Sequence, residues 1–457
     1  MAYEKHLIAL AAVVLAATGC TAEQPAPADA GSASPVGSTT GDGNATRMID
    51  QPNVSGLDVA PDSERVDLEM PTFTDPTSID NPLFPVGRGD SNVLLGKVDG
   101  KKFRTEVTVL PETRFIEWNG ERVETVVSQY TAFLDGRIHE VALDLYAQDD
   151  EGAVWYFGED VFNFEAGVVA DTEGTWFAGK DGPAAMIMPA DPQVGDVYRP
   201  ENIPGNVFEE VTVKATDRTV AGPQGNVAGS LLVSELHMDA TLEDKTFAPG
   251  YGEFYTSGGG DVEALAQGLP TDALPAAAPA AIDRLLTATT RLNDAASASS
   301  EGTAGPAART IDAARRVLSG IDVPPLLATE LSREMKELRA ADTATLRAQE
   351  SVDIARLALD LRLRHAAREE VDLSRLELWV RQLLIDIGQG DPAAVNGDLV
   401  SLDLVHDRVA HAYASMAMSG VDVALGRLRV AAVETDLRAA TDAAASARRL
   451  IAGLEPV

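Results

Sequence analysis

The chain has 457 residues, 45% of them apolar and 24% charged, enough for two or three globular domains at roughly 150 residues each. Its net charge of −34 argues against a nucleic-acid-binding face, which needs clustered Lys and Arg. A single cysteine excludes an internal disulfide framework and any multi-cysteine zinc site, and no stretch reaches the roughly 18 apolar residues of a membrane-spanning helix.

At the N-terminus, Lys5 precedes an unbroken apolar run from Leu7 to Ala17, a length that suits a signal peptide. Ala17-Thr18-Gly19-Cys20 follows. These residues resemble the lipobox of bacterial lipoproteins, with Ala17 where that family prefers Leu. The resemblance implies a signal peptide over 1–19, an acyl-bearing Cys20 (diacylglycerol on the thiol, palmitate among the chains), and a mature protein lipid-anchored at the extracytoplasmic face of the cell membrane. Residues 20–64 are rich in Ala, Pro, Gly, Ser, Thr and Asp without apolar periodicity, so they read as a disordered tether.

Two compositional halves follow. Residues 51–270 carry 39 acids against 14 bases, whereas 271–457 carry 27 against 21. Three of the four Trp lie in the first half, and Lys336 is the sole Lys of the second. The Pro- and Ala-rich stretch from Leu269 to Ala281 marks the boundary, giving a β-rich domain over 65–270 and an α-helical bundle over 271–457. In the first half, Thr105–Val109, Val123–Leu134 and Ile138–Tyr146 alternate with period two. Asp135-Gly136 predicts a hairpin, and Asp149 to Gly152 a second one leading into Ala153–Phe157. Val207–Val213 and Gly229–Leu236 add strands. The expected fold class is α+β: an antiparallel β-rich domain (curved sheet, half-barrel or sandwich) followed by an antiparallel helical bundle.

In the second half, short helices are expected near 279–297 and 306–319, and one long run from Leu326 to Arg368. Asp372 or Ser374 caps the next helix, which carries Leu376, Trp379, Leu383 and Ile387 on one face and ends at Gly388 and Gly390. Asp391-Pro392 opens another, with an apolar stripe from Val395 to Met416. Ser419-Gly420 predicts a break, and Val421 to Leu454 a last helix.

The first half contains the strings Ile79-Asp80-Asn81-Pro82-Leu83-Phe84-Pro85, Leu145 to Asp149, Val154 to Asp160, Gly174-Thr175-Trp176, Met188-Pro189-Ala190, Val194 to Arg199 and Ala248 to Gly252. On these the middle segment, roughly 75–265, resembles uncharacterised actinobacterial secreted lipoproteins, with Tyr251 in place of the valine of a Gly-Val-Gly motif. That group supplies no reaction, so no catalytic residue carries over. More loosely, such a meander is similar to half-barrel lipoproteins that hold acyl chains.

Candidate chemistry is sparse. Trp155, Tyr156 and Phe157, with Trp176, are candidates for an aromatic ligand wall, or else form a strand in a two-sided core. Asp144, Asp149, Asp150, Glu151, Glu159 and Asp160 surround the same hairpin; their spacing does not fit an EF-hand loop. His365 with Glu369, and Asp403 with His406, His411 and Met416, are helical metal candidates with too few ligands; Met186, Met188, His237-Met238 and Met418 offer soft sulfur or imidazole. No Gly-x-Ser-x-Gly elbow, phosphate loop or dinucleotide fingerprint occurs. The expectation is therefore a non-enzymatic binding protein for an apolar ligand or an envelope partner, without cofactor, metal or catalytic residues. The alternatives are a hydrolase of envelope polymers acting through carboxylates such as Glu159, and a structural adaptor.

Overall fold

The computed structural model describes residues 56–454 apart from 88, 204 and 299–301. Cys20 and most of the tether lie outside the described residues. Fourteen strands come first: β1 (Ser91–Val98), β2 (Lys101–Trp118), β3 (Glu121–Leu134), β4 (Arg137–Gln148), β5 (Val154–Glu165), β6 (Val168–Asp171), β7 (Trp176–Phe177), β8 (Ala185–Met188), β9 (Val197–Ile203), β10 (Val207–Gly222), β11 (Gly225–His237), β12 (Leu242–Ala248), β13 (Gly252–Gly258) and β14 (Asp261–Leu269). Eight α-helices follow, both counts being of the described residues: α1 (Ala280–Ala298), α2 (Ala304–Gly320), α3 (Pro325–Ala340), α4 (Ala344–Leu363), α5 (Arg368–Gln389), α6 (Pro392–Ala410), α7 (Ser415–Val433) and α8 (Leu437–Ile451). The fold is α+β, as the two compositional halves predict.

The strands form one open antiparallel sheet in the order β6-β5-β4-β3-β2-β1-β14-β13-β12-β11-β10-β9, with β7 and β8 paired to β5. The first and last long strands, β1 and β14, meet in the middle, so the chain lays down two wings of consecutive hairpins. Asp99-Gly100, Asn119-Gly120 and Asp135-Gly136 all take positive φ at both positions, the backbone of a tight two-residue hairpin turn matched to strand twist. Pro111 has no N–H to give the ladder, and β2 passes it through a register shift between Val109 and Thr113. That is why alternation in the sequence marks only part of an 18-residue strand.

The sheet curls until its wings share one core. Val126, Leu145 and Phe157 of one wing belong to the same apolar cluster as Val211, Leu231 and Phe247 of the other. Helices cover the outer face. Val93 packs outward among Ile282, Leu285 and Leu331, while its neighbour Leu94 packs inward with Phe254 and Leu265. Phe133, Ile138 and Val141 join Leu376, Val380 and Leu402, and the Phe133 and Trp379 rings stack at 5.7 Å.

Several helix boundaries differ from the periodicity. The run 326–368 is two helices, because Thr343 turns extended and accepts a hydrogen bond from the Leu346 N–H to start α4. α5 begins at Arg368, before the candidate caps Asp372 and Ser374. Ser419-Gly420 lies inside α7 rather than at a break. The break falls at Thr435, with φ 55°, and Asp436, whose carboxylate caps α8 at the Ala439 N–H. Asp391 caps α6 as its sequence predicts, accepting from Ala394 N–H at 3.0 Å.

Candidate ligand-binding cavity

The curl encloses a cavity of about 690 Å³, within the usual range for small-molecule sites. Side chains two apart on a strand share a face, and that rule builds the lining. β4 contributes Glu140, Ala142, Asp144 and Tyr146, β12 contributes Glu243, Lys245 and Phe247, and Tyr130, Tyr156 and Tyr198 come from three further strands. Thirteen acidic residues line the cavity, against Lys101 and Lys245 among the described residues.

Register sets the carboxylates against each other. Asp144 of β4 lies directly opposite Glu159 of β5. Burial pushes Asp144 up to about 7, although Tyr156 O–H donates to its Oδ1 at 2.8 Å. Burial, reinforced by the Asp144 and Glu263 charges, pushes Glu140 up to about 8. Glu159 is raised well above the carboxylate range by burial and by Glu201, to which its protonated carboxyl donates. Glu201 itself rises to about 8 through burial and the Glu209 charge, although Trp176 Nε1–H donates to its Oε1 at 3.0 Å. Glu140 Oε1 and the Tyr198 hydroxyl are buried atoms without a hydrogen-bond partner, on two residues that line the cavity. Unpartnered polar atoms are costly to bury, so both call for a ligand or water.

A second group sits on the other wing. Glu209 of β10 is opposite His237 of β11, and Glu235 of β11 is opposite Glu243 of β12. Lys245 Nζ pairs with Glu235 Oε1 at 2.7 Å. Burial drives His237 down, but the Glu209 and Glu243 carboxylates outweigh it and hold the imidazole at about 10. Burial, with the Glu209 charge, raises Glu235 to about 7.

Of the four aromatic residues proposed from sequence, Tyr156 lines the cavity and Trp155, Phe157 and Trp176 do not. Trp155 is buried and its Nε1–H donates to Asp149 Oδ2 at 2.8 Å, while Phe157 packs edge-on against Phe73 and Trp118. Glu159 faces the cavity, and its neighbour Asp160 points away to Arg114 at 2.6 Å. The acidic turn is internally satisfied: Asp149 accepts from Glu151 and Ala153 N–H, and Asp150 from Thr72 and Thr74. The helical metal candidates do not converge. Asp403 pairs with Arg429, His406 Nε2 with Asp422 at 2.8 Å, His365 Nδ1 with the Ala276 carbonyl, and Met416 is exposed. Met186 and Met188 are core residues.

Several of the strings that carry the lipoprotein resemblance meet in space. Gln148 Oε1 accepts from the Asp80 and Asn81 N–H groups, and Asn81 Nδ2 donates to the Gly152 and Pro189 carbonyls. Gly250 N–H donates to the Pro82 carbonyl, and Tyr251 O–H to Asp272 Oδ1 at 2.8 Å. They clamp loops around one end of the sheet, with Phe84, Pro85 and Tyr251 also lining the cavity.

Most of the acidic lining escaped the sequence reading. Its signal is ionisable residues at even spacing on a strand, as in Glu140-x-Ala142-x-Asp144 and Glu235-x-His237, inside the half that carries 39 acids. No family model matches this chain, and no curated protein matches it.

Proposed function

We propose that this protein is a non-enzymatic binding protein, lipid-anchored through Cys20 at the extracytoplasmic face of the membrane, whose cavity takes an organic cation with an apolar body. The anchor rests on the lipobox-like N-terminus and on the lipoprotein resemblance of residues 75–265. The ligand class rests on one observation above all: carboxyl groups and tyrosines converge on a cavity that holds few cationic side chains. An ammonium group would take over the unpartnered Glu140 Oε1, and the tyrosine faces would hold its charge and its apolar body by cation–π and apolar contact. This narrows the purely apolar ligand expected from sequence.

The test is titration calorimetry of the full-length protein with spermidine and with an alkyl-trimethylammonium, at pH 8, where more of the carboxyls are ionised. Saturable binding, weakened about tenfold or more by Asp144→Asn and by Glu140→Gln, is expected. Absence of binding by either probe overturns the reading.

A hydrolase of envelope polymers is the second reading, because Glu159 and Glu201 share a proton beside Asp144, a close carboxyl pairing of the kind used for general acid–base hydrolysis. Turnover of cell-wall glycan that disappears in Glu159→Gln, with no organic-cation binding, would favour it.

A further inference from the structure

We propose that Glu235, His237 and Glu243 hold a divalent transition-metal ion of the zinc class in the wall of the cavity, with Glu209 orienting the imidazole. The register brings these four side chains to one face of β10, β11 and β12. His237 Nε2 is buried and makes no hydrogen bond. It lies 3.4 Å from Glu235 Oε1 and 3.5 Å from Glu243 Oε2. Those separations are long for hydrogen bonds. They match the edges of a tetrahedron, about 3.4 Å, around an ion with ligands at about 2.1 Å. The other ring nitrogen, Nδ1, faces Glu209 Oε1 at 3.3 Å. A carboxylate behind a ligating histidine is the common device that fixes its tautomer and orientation. Glu209, Glu235 and His237 present oxygen and imidazole atoms within 4.8 Å of one another.

Charge fits the same ion. Once the imidazole gives up its proton as the ion enters, the three glutamates against Lys245 carry a formal net −2, which one divalent cation cancels. Lys245 reaches Glu235 Oε1 and occupies the place a second cation would take. One imidazole with carboxylates selects zinc, cobalt or manganese rather than copper(I), which needs sulfur. Glu235 and Glu243 also line the cavity, so the fourth position of the ion faces the ligand space. This site lies on β10 to β12 and is separate from the Glu140–Asp144–Glu159 side on which the organic-cation reading rests.

The experiment is titration of the chelator-treated full-length protein with Co²⁺ and Zn²⁺, read by visible absorption for cobalt and by calorimetry for zinc. One equivalent of Co²⁺ with the intense absorption of a four-coordinate site is expected, displaced by Zn²⁺. His237→Ala should abolish the band. Glu209→Gln, which leaves the ligands in place, should weaken affinity about 10- to 100-fold. Glu159→Gln should leave metal binding unchanged, so loss of the organic-cation site and loss of this one are distinguishable. If His237→Ala fails to fold, Glu243→Gln serves, with an at least tenfold loss expected. Absence of stoichiometric binding, or binding by the folded His237 or Glu243 variant equal to that of the unsubstituted protein, overturns the proposal.

Discussion

On the outer face of the sheet, Glu106 of β2 is surrounded by guanidinium groups: Arg104 at 2.9 Å, Arg408 at 3.5 Å and Arg375 at 3.9 Å. Arg375 also reaches Asp360 and Asp372, each at 2.9 Å, and Arg104 reaches Asp360 at 2.9 Å. Three arginines thus balance three carboxylates between β2 and helices α4, α5 and α6. Burial pushes Glu106 up, but Arg375, Arg104 and Arg408 override it and hold its carboxyl far below the usual range. On the inner face, Glu140 and Asp144 face other acids and both rise to near neutrality. Opposite pairings on one sheet separate a structural use of buried charge from a receptive one. On the outer face the protein supplies the counter-ions itself, as arginines; on the inner face Glu140 and Asp144 have no such partner and keep their protons to higher pH.

The largest expected effect breaks the compensated side. Arg375→Ala leaves Asp360 and Asp372 short of a partner in the interface between sheet and bundle. Removing one member of a buried ion pair costs about 3–5 kcal/mol. Chemical denaturation at pH 7 should show that loss; a change below about 1 kcal/mol would mean the network adds no stability. The same network predicts acid sensitivity. Glu106 has a folded pKa below its unfolded value, so its contribution is present above about pH 4.5 and is lost as pH falls.

The inner face should have the opposite pH dependence. Glu140 has a folded pKa near 8, above its unfolded value of about 4.5, so stability is full below pH 4.5 and declines as pH rises towards 8. Glu140→Gln removes that decline. The variant should match the parent near pH 4.5 and exceed it by up to about 4 kcal/mol at pH 8, from the size of the shift. Denaturation at the two pH values checks it, and equal stability at pH 8 would show that the face is already compensated.

Much of this contrast was hidden in the sequence for a physical reason. Period-two alternation reveals a strand with one buried face, and it marked Val123–Leu134 and Ile138–Tyr146 well. It marks β1 and β14 poorly, because both faces there are covered. Val93 meets the helices and Leu94 the inner core, so apolar and polar residues no longer alternate. The helical half was legible at Asp391, whose cap acts within four residues, whereas the caps at Thr343 and Asp436 went unread and Ser419-Gly420 misled because neither residue alone ends a helix. The candidate cavity was least legible. Trp155, Tyr156 and Phe157 drew attention as a run, but the pleat divides them, and only pairing across strands brings Glu159 to Asp144 and Glu209 to His237.

The smallest expected effect sharpens the comparison at a single atom. Tyr156 O–H donates to Asp144 Oδ1, a bond that favours the charged carboxylate and partly offsets the burial that raises it. Tyr156→Phe keeps the ring that stacks on Tyr146 at 4.9 Å and removes only the donor. Folding stability should fall by about 1 kcal/mol, the usual net worth of one hydrogen bond. Asp144 should then hold its proton to higher pH, because the charged form loses its donor while the desolvation is unchanged. A cationic ligand requires the charged form, so the midpoint of its pH-dependent binding should move up by about one unit, equivalent to about 1.4 kcal/mol. Calorimetric titrations with spermidine across pH 5 to 9 read this directly. A midpoint that stays put while stability drops would assign the Tyr156–Asp144 bond to the core alone, and would place the inner face with the outer one as structure.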